Sequence, residues 1–357
     1  MNYSLLLSDI LFLSMKKLLC AVIGCGRIGC GFDDSSKSKI IMTHAGSYFK
    51  NSNTKLSALC DIDKNKLMKY GKKYNVKKLY NKSFDLFAKE DLDCISICTM
   101  ADSHLELVNQ AVKAGVKGIF LEKPISNTLK NTKKIIKLCK KNNVKLAIDY
   151  QRRYDPFYIS IKNFINDSMG KIQIVNVYYG GGIANTGSHL FDLLRFFFGE
   201  IKSLRGFFSK NQSGNILDPN IDLQIEFRKK INCTLQSLDY RNFGLFEMDI
   251  LSSEGRLSIN LAANTHEIKY FKKSIKDASG YRKLLPFTLK VKKSKESTIT
   301  LAVKDLVNCI ISNNKPVCTG IDGYKSLELV IASIISSKQK KVIHLPISSN
   351  KYKISSK

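Results

Sequence analysis

Short apolar runs alternate with amphipathic stretches through the first 150 residues of the chain. Such alternation predicts βαβ units, in which helices cover both faces of a parallel sheet. The predicted strands are Leu18–Ile23, Leu56–Cys60, Cys94–Thr99, Gly118–Leu121 and Leu146–Tyr150. The predicted helices are Ile40–Phe49, Lys64–Tyr74, Ser103–Ala114 and Thr128–Lys141. We therefore expect a doubly wound α/β domain with a parallel sheet over residues 15–150.

The pattern changes after residue 150, where strands follow one another without intervening helices. One helical pattern precedes them, and the strand-like stretches are Ile172–Tyr179, Ile221–Phe227, Ile231–Leu238, Leu245–Leu251 and Leu257–Asn260. This order favours an open, largely antiparallel sheet. The other predicted elements are helices at Phe157–Asp167, Thr298–Ser312 and Tyr324–Ser337, a strand at Lys341–Leu345, and a long loop or insertion at Lys272–Lys295. We expect a second, α+β domain over 151–345, whose last helix could pack back on the first domain.

Composition fits a globular protein large enough for two cores. The 357 residues are 44% hydrophobic and 25% charged, with a formal net charge of +28. Such a charge raises the question of nucleic acid, but 49 of the 58 basic residues are Lys and they are scattered over every segment. A nucleic-acid binder would need a clustered basic face with interleaved aromatic residues. We interpret the charge as compositional bias with a solvated Lys surface, which would still favour an anionic small substrate.

Cysteine usage and hydropathy predict a cytoplasmic protein without a membrane span. The ten cysteines form no C-x-x-C pair and several lie in apolar strands, as expected of free thiols in a reducing compartment. No apolar run reaches the roughly 18 residues that a bilayer requires. The segment Met1–Ser14 contains Asp9 and lacks the features of a signal peptide, and Met15 is a second candidate start.

A glycine motif follows the first predicted strand. Gly24, Gly26, Arg27, Ile28 and Gly29 form a G-x-G-x-x-G pattern, which lets the backbone approach the pyrophosphate of a dinucleotide. Asp61 ends the next strand, where a carboxylate would bind the adenosine ribose hydroxyls and repel a 2′-phosphate. NAD is therefore expected over NADP. Asp61 lies 32 residues beyond Gly29 instead of the usual ~20, because Cys30–Lys39 intervenes. The alternative for Asp61 is a helix N-cap.

Two more motifs complete a family pattern. Glu122-Lys123-Pro124 follows the strand Gly118–Leu121, and Gly187-Ser188-His189-Leu190-Phe191-Asp192 follows a glycine run. With Gly24–Gly29, Asp61, Cys98-Thr99, His104 and Arg152-Arg153, these residues resemble the Gfo/Idh/MocA family (glucose-fructose oxidoreductase and inositol dehydrogenase relatives) from about Lys16 to Leu261. The resemblance implies a Rossmann domain, NAD(P), hydride transfer at a sugar or cyclitol CH–OH group, and homodimers or homotetramers formed through the C-terminal sheet.

The same resemblance implies a role for Lys123. Oxidising a secondary alcohol needs a base for the hydroxyl proton and a group that stabilises the developing alkoxide. In the family the lysine hydrogen-bonds the reacting oxygen, and a nearby oxidised nicotinamide would lower its pKa. Pro124 would fix the turn that aims Lys123, and a cis bond is one way to do so. We expect Glu122, Thr99 and His104 on the cofactor side of this site. The alternative is a solvent-exposed lysine paired with Glu122.

His189 is the candidate acid/base, because an imidazole titrates near neutral pH. Asp192, three residues later on a predicted helix, would orient it or contact substrate. Alternatively His189 caps the helix Leu190–Phe198 and Asp192 is a structural hydrogen bonder. Many relatives carry Asp where this chain has Asn185. Asparagine can bind a hydroxyl group but cannot take its proton, so proton handling would fall to Lys123 and His189.

The remaining candidates leave alternatives open. Arg152 and Arg153 could hold substrate anions or tie the domains together. His44, His266 and His344 have no partners in sequence and are expected to be solvated or core histidines, and no metal cluster emerges. The leading hypothesis is an NAD-dependent dehydrogenase of a sugar, nucleotide sugar or cyclitol. The competing one is a ligand-sensing protein on the same fold without turnover, against which the presence of Lys123 and His189 argues.

Overall fold

The computed structural model describes residues 16–34, 40–261, 267–348 and 352–355. The leader Met1–Ser14, the second candidate start at Met15, residue His266 and the end of the Cys30–Lys39 stretch lie outside the described residues. Two sheets organise the described chain, and their strands are separated in sequence near residue 150.

The first sheet has six parallel strands in the order β3-β2-β1-β4-β5-β6. They are β1 Leu18–Ile23, β2 Thr54–Cys60, β3 Lys78–Tyr80, β4 Cys94–Ile97, β5 Gly118–Leu121 and β6 Lys145–Ile148. The helices between them are α1 His44–Lys50, α2 Lys64–Tyr74, α3 Ser83–Lys89, α4 His104–Lys113 and α5 Leu129–Lys141. β4 and β5 are buried along their whole length, which explains their continuous apolar sequences. This is the doubly wound arrangement expected from the sequence.

The second sheet has nine strands in the order β14-β13-β12-β11-β7-β10-β9-β8-β15. They are β7 Ile172–Tyr179, β8 Ile201–Phe208, β9 Ile221–Phe227, β10 Asn232–Ser237, β11 Phe246–Ser252, β12 Gly255–Asn260, β13 Ile268–Lys273, β14 Leu284–Phe287 and β15 Ile343–His344. All neighbours are antiparallel except β7 and β10. The helices of this part are α6 Pro156–Ser168, α7 Ser188–Phe198, α8 Thr298–Ser312 and α9 Gly320–Gln339.

The last two helices pack on the first sheet, and the second of them also contacts the second sheet. Helix α8 packs on α1 and β5, while α9 packs on α5 and β6 as well as on β8 and α7. Thr319, just before α9, forms an antiparallel bridge with Ala147 of β6, and the Ile148 N–H donates to the Cys318 carbonyl at 3.1 Å. The C-terminal chain therefore packs back on the first sheet.

Most predicted elements are present within a few residues, but four strands and one helix were not predicted. β3, α3 and β8 lie in stretches that had no assignment, and β13 with β14 lies partly inside the predicted loop Lys272–Lys295. That loop prediction is wrong in part, because the two strands pair as an antiparallel hairpin at the sheet edge. β14 is exposed along its whole length. No helix in the described part of the chain is long and apolar enough to cross a membrane.

Candidate active site

The glycine motif forms a tight loop directly after β1. Gly24 has a φ of +95°, and a Cβ there would lie 2.7 Å from the Cys98 carbonyl oxygen. A Cβ on Gly29 would lie 2.0 Å from the Gly24 carbonyl oxygen, whereas one on Gly26 would meet no atom within 4 Å. The fold therefore requires glycine at positions 24 and 29, where a side chain has no room. Gly26 faces open space, which allows the pyrophosphate of a dinucleotide to approach the backbone closely.

Less helix follows this loop than in a typical dinucleotide-binding site, where an α-helix begins directly after the glycines. One π-helical turn, Arg27–Gly31, follows the glycines, and the α-helix α1 begins only at His44. Asp33 accepts the Met42 N–H at 2.6 Å and also binds the Thr43 hydroxyl, and the Thr43 side chain caps α1. The inserted stretch thus separates the glycine loop from α1 and fixes where α1 starts.

Asp61 lies at the end of β2 and holds the same loop. Its Oδ2 accepts the Cys25 N–H at 2.6 Å, and its Oδ1 accepts the Asp63 N–H at 2.8 Å. The N-cap of α2 is Asp63, whose side chain accepts from Asn65 and Lys66, so the alternative of Asp61 as the cap does not hold. A partly exposed carboxylate at this strand end suits the ribose hydroxyls of a dinucleotide.

Lys123 follows β5, and its bond to Pro124 is cis. Its Nζ donates to Asn185 Oδ1 at 3.2 Å and to the Asn185 carbonyl at 3.3 Å, which links the first sheet to the loop before α7. Burial lowers the pKa of Lys123, while the neighbouring Glu122 and Asp149 act in the opposite direction. A cavity of about 140 Å³ is lined by Lys123, Pro124, Thr99, Met100, Ala101, Ala184, Asn185, Asn215, Asp218, Ile354 and Ser355.

His189 lies in the first turn of α7, beside a second cavity of about 310 Å³ that Asn185 also lines. Its ring meets Tyr150 edge-on, with ring centroids 5.6 Å apart. Burial lowers the pKa of His189 well below its usual value, and Lys123 and Arg152 add to that effect because both are cationic. The imidazole is therefore neutral at pH 7. Helix α7 begins at Ser188, so His189 is inside the helix and does not cap it.

The tandem arginines have different surroundings. Arg152 lines the same cavity as His189, stacks over Phe246 at 4.6 Å, and has no carboxylate partner among the described residues. Arg153 is buried, and its Nε contacts both oxygens of Asp192 at 3.0 and 2.9 Å. Asp192 therefore binds Arg153 and not His189, which corresponds to the structural alternative for Asp192.

Thr99 and His104 lie at the end of β4 and the start of α4. The His104 Nε2 is 3.1 Å from the Thr99 carbonyl and its Nδ1 is 3.3 Å from the Ile125 carbonyl, so its ring connects the chain around β4 to the turn after Pro124. Burial lowers the pKa of His104. The Thr99 hydroxyl pairs with Ser103 at 2.7 Å. Both residues therefore support the wall around Lys123.

Asp218 lies in the site although the sequence analysis did not single it out. Its two carboxylate oxygens accept the backbone N–H groups of Ala184 and Asn185 at 2.8 Å each. It also lines the cavity beside Lys123. Asp218 thus fixes the loop that carries Asn185. Its only signal in sequence is an acidic residue before Pro219, in a loop far from every recognised motif.

Glu122 contacts His44 next to Lys123, and the sequence analysis did not predict this contact. The Glu122 side chain is buried and turns inward, where its Oε1 is 3.2 Å from His44 Nε2. Asp149 Oδ2 lies 3.5 Å from the same nitrogen, and His44 Nδ1 is 2.9 Å from the Ser96 hydroxyl. The ligand atoms of His44, Glu122 and Asp149 all lie within 4.8 Å of one another. The expected absence of a metal stays a prediction, since the same spacing suits a hydrogen-bonded network.

Comparisons with known proteins agree with this geometry. Residues 18–150 match the model of the Gfo/Idh/MocA oxidoreductase family, NAD-binding Rossmann fold. Residues 169–258 match the C-terminal domain model of the same family, and the two matches together span more than half of the chain. The chain belongs to the Gfo/Idh/MocA family of NAD-binding oxidoreductases, as its motifs suggested.

Individual relatives are distant, and the share of the chain that they match varies from about half to most of it. The D-apiose dehydrogenase of Paraburkholderia graminis is 22% identical over 343 residues, covering 89% of this chain and 88% of the relative. The myo-inositol 2-dehydrogenase of Thermotoga maritima is 27% identical over 194 residues, which is 50% of this chain and 54% of that protein. The family therefore includes named dehydrogenases of a sugar and of a cyclitol.

Solved structures share the fold along nearly the full length. The WlbA dehydrogenase from Bordetella pertussis, in complex with NADH and UDP-GlcNAcA, aligns with a TM-score of 0.75 at 19% identity over 93% of this chain and 100% of that chain. The myo-inositol 2-dehydrogenase from Lactobacillus plantarum gives 0.72 at 23% identity, covering 92% and 99% of the two chains. At these identities the likeness concerns the fold alone.

Proposed function

We propose that this chain is an NAD-dependent dehydrogenase of a CH–OH group in a sugar, nucleotide sugar or cyclitol, working in the cytoplasm. The observation that carries the proposal is the pair of adjoining cavities, one lined by Lys123 and the other by His189, with Asn185 common to both. A family whose members include apiose and inositol dehydrogenases supports the substrate class. Ten free cysteines support the reducing compartment.

In this proposal the glycine loop and Asp61 hold the cofactor. The open side of Gly26 would face the pyrophosphate, and the Asp61 carboxylate would bind the adenosine ribose and disfavour a 2′-phosphate. Bound NAD supplies the hydride acceptor. Thr99 and Met100, at the carboxyl end of β4, would form the wall on the nicotinamide side.

The chain's own residues handle the hydroxyl proton. His189 is neutral at pH 7 and so is ready to accept it, while Lys123 donates a hydrogen bond that stabilises the negative charge developing on the oxygen. Asn185 would hold a substrate hydroxyl between them, because its side chain already accepts from Lys123. Arg152 would contact the far end of the substrate, since it lines the His189 cavity without a carboxylate partner among the described residues.

The first test follows nicotinamide absorbance with NAD and a panel of cyclitols, free sugars and UDP-sugars, for the wild type and Lys123→Ala. Turnover that disappears with Lys123 supports the dehydrogenase and identifies the substrate class. NAD binding without turnover on every panel member would favour a sensor instead. Repeating the assay with NADP tests the role of Asp61, because Asp61→Ser should lower the preference for NAD.

We also propose a homodimer or homotetramer formed through the C-terminal sheet. Three large apolar side chains on one face of that sheet are partly exposed, namely Ile174, Tyr178 and Phe207. Apolar side chains on an uncovered sheet face are typical of a subunit contact. Light scattering coupled to gel filtration measures the mass, and a monomer at micromolar concentration would contradict the proposal.

A further inference from the structure

Four polar side chains meet beneath Lys123 because the topology brings them to one edge of the first sheet. Ser96 is on β4, Glu122 directly follows β5 and Asp149 directly follows β6, so the carboxyl ends of three adjacent parallel strands supply three of them. His44 is the first residue of α1 and completes the group. All four are buried, with His44 and Ser96 at 0% exposure. Buried polar groups at such a strand edge lie where open α/β sheets bind ligands.

The contacts in this group are specific. His44 uses both ring nitrogens, Nδ1 toward Ser96 and Nε2 toward the carboxyl groups of Glu122 and Asp149. Its ring packs on Phe120 of β5 at a centroid distance of 4.7 Å. Asp149 also accepts from the Gln151 side chain at 3.1 Å, while its Oδ1 is buried without a hydrogen-bond partner in the described structure. The imidazole therefore has one orientation, fixed from three directions.

The three ionisable side chains of this group differ in how burial and their neighbours shift their pKa. Burial opposes a charged imidazole, yet Cys98, Asp149 and Glu122 raise the pKa of His44 well above its usual value. Burial would also raise the pKa of Asp149, but the hydrogen bond with His44 contributes to lowering it. Burial and the adjacent Asp149 raise the pKa of Glu122 to about 7. An ion pair of His44 and Asp149 thus stands beside a Glu122 carboxyl that can lose or keep its proton near neutrality.

Glu122 connects this group to Lys123. Its Oε1 faces His44, and its Oε2 accepts the Lys123 backbone N–H at 3.2 Å. An ionised Glu122 raises the pKa of Lys123 against the effect of burial. The other charges acting on Lys123 are Asp149 in the same direction and, from the second half of the chain, Arg152 against it and Asp218 with it. Glu122 is therefore the route by which a change at His44 reaches Lys123.

We propose that His44 is a positioning residue for catalysis: held by Ser96 and Asp149, it orients the Glu122 carboxyl group, and so fixes both the Lys123 backbone that this group accepts from and the negative charge beside the Lys123 ammonium group. The proposal rests on the catalytic role proposed for Lys123. It gives a function to a histidine that the sequence analysis expected to be only a solvated or core residue.

A direct test measures the proton affinity of Lys123 without substrate. Competitive labelling with acetic anhydride across a pH series, read by mass spectrometry of the peptide that carries Lys123, gives its titration midpoint. His44→Gln and Glu122→Gln should each move this midpoint to lower pH, with a roughly tenfold larger neutral fraction near pH 7. The double variant should match Glu122→Gln alone, because His44 acts through Glu122.

A matched control removes a buried carboxylate elsewhere. Glu328 on α9 is 1% exposed, pairs with Lys325 at 3.2 Å and accepts the Ile347 N–H at 3.2 Å. Glu328→Gln makes the same chemical change as Glu122→Gln and should leave the labelling of Lys123 unchanged. Thermal unfolding of all variants separates general destabilisation from the specific effect. If His44→Gln fails to fold, Glu122→Gln still tests the connection.

Kinetics extend the test once a substrate is known. Both variants should lower kcat roughly tenfold or more with little change in the KM for NAD, and should move the alkaline limb of the pH profile to lower pH, because neutral Lys123 no longer donates to the oxyanion in full. An unchanged labelling midpoint in both variants overturns the proposal. So does one equivalent of bound metal per chain by elemental analysis that disappears in His44→Gln. A labelling shift without any turnover would leave this coupling intact while contradicting the proposed dehydrogenase.

Discussion

Two buried charged clusters lie on either side of the candidate active site, and they differ in balance. The first, the Arg153 cluster, consists of Arg153, Asp192, Asp322 and Arg195, with Arg153 Nη2 3.0 Å from Asp322 Oδ1 and Arg195 Nη1 3.5 Å from the same atom. The second, the His44 cluster, consists of His44, Glu122 and Asp149. In the first, each carboxylate has an arginine partner, including the partly exposed Glu200 at 2.6 Å from Arg195 Nη2, whereas two carboxyl groups share one imidazole in the second.

The charge balance of each cluster follows from the part of the molecule that the cluster contacts. The Arg153 cluster joins the turn after β6 to α7 and to the first turn of α9, so its charges compensate one another inside the fold. The His44 cluster lies next to Lys123, and its two carboxyl groups act to raise the pKa of this lysine, so its extra negative charge faces the cation for which we propose a catalytic role. A balanced cluster of this kind serves assembly, while an unbalanced one leaves a group whose proton can move. Charge balance is therefore a guide to which buried cluster serves chemistry.

The largest expected effect comes from breaking the balanced cluster. Arg153→Ala leaves the buried Asp192 without its cation and leaves Asp322 with Arg195 alone, which should lower the free energy of unfolding by about 3–5 kcal/mol. Urea denaturation measures it. The control Arg256→Ala removes an exposed pair with Asp249 and should cost less than about 1 kcal/mol. Equal losses in the two variants would contradict the assembly role.

Removing the catalytic cation should affect rate and spare stability. Lys123→Ala should lower kcat roughly 10²–10³-fold, as the loss of one donor to a developing oxyanion does elsewhere. Its urea midpoint should stay near that of the wild type, because Lys123 contacts only Asn185 through its side chain in the described structure. Stopped-flow absorbance gives the rate. A large stability loss with a small rate loss would assign Lys123 to structure instead.

The pH dependence of stability distinguishes the unbalanced cluster. The folded-state pKa of Glu122, about 7, lies above the value of an unfolded glutamate, so its stabilising contribution is complete below about pH 4 and is lost as pH rises through 7. Glu122→Gln should remove this dependence, making the decline in unfolding free energy between pH 5 and 8 smaller by roughly 1–3 kcal/mol. Parallel wild-type and variant curves would exclude the raised pKa.

The smallest effect should appear at Arg152. Arg152→Met keeps an unbranched side chain beside Phe246 but removes the guanidinium that stacks on it and the charge in the cavity, which should raise the KM for substrate by roughly tenfold and leave stability nearly unchanged. Steady-state kinetics with the identified substrate measure this. If instead Arg152→Met lowers the free energy of unfolding as much as Arg153→Ala, Arg152 has a structural role like that of Arg153 and not a separate role in substrate binding.

The hydrophobic pattern of the sequence was enough to predict the strands that are buried on both faces. β1 and β5 are apolar throughout and β4 is apolar apart from Ser96, so their runs were visible in the sequence. Half of β13 is lysine, and β14 is a four-residue apolar run that contains Pro286 and is exposed along its length. A run this short with a proline in it is not typical of a strand, except at the edge of a sheet. Three-residue β3 is too short for any period to appear.

The candidate site could be predicted only where a motif marks it. Lys123 and His189 stand in recognisable local patterns, whereas His44 lies 78 residues from its partner Glu122 and Asp218 lies 33 residues from Asn185. These contacts arise because separate strand ends and loops converge, which spacing along one segment does not encode. One signal was available: Ser96, Glu122 and Asp149 all stand at or directly after predicted strands, and such ends share one sheet edge.

The bridge between Ala147 and Thr319 has a consequence for how the chain folds. β6 is the last strand of its sheet, and an uncovered edge strand offers its free backbone groups to other chains. Residues 318 and 319 occupy part of that edge, and α8 and α9 cover the neighbouring surface. During synthesis the cofactor-binding half therefore emerges well before the segment that shields it, so its edge depends on protection that arrives some 170 residues later.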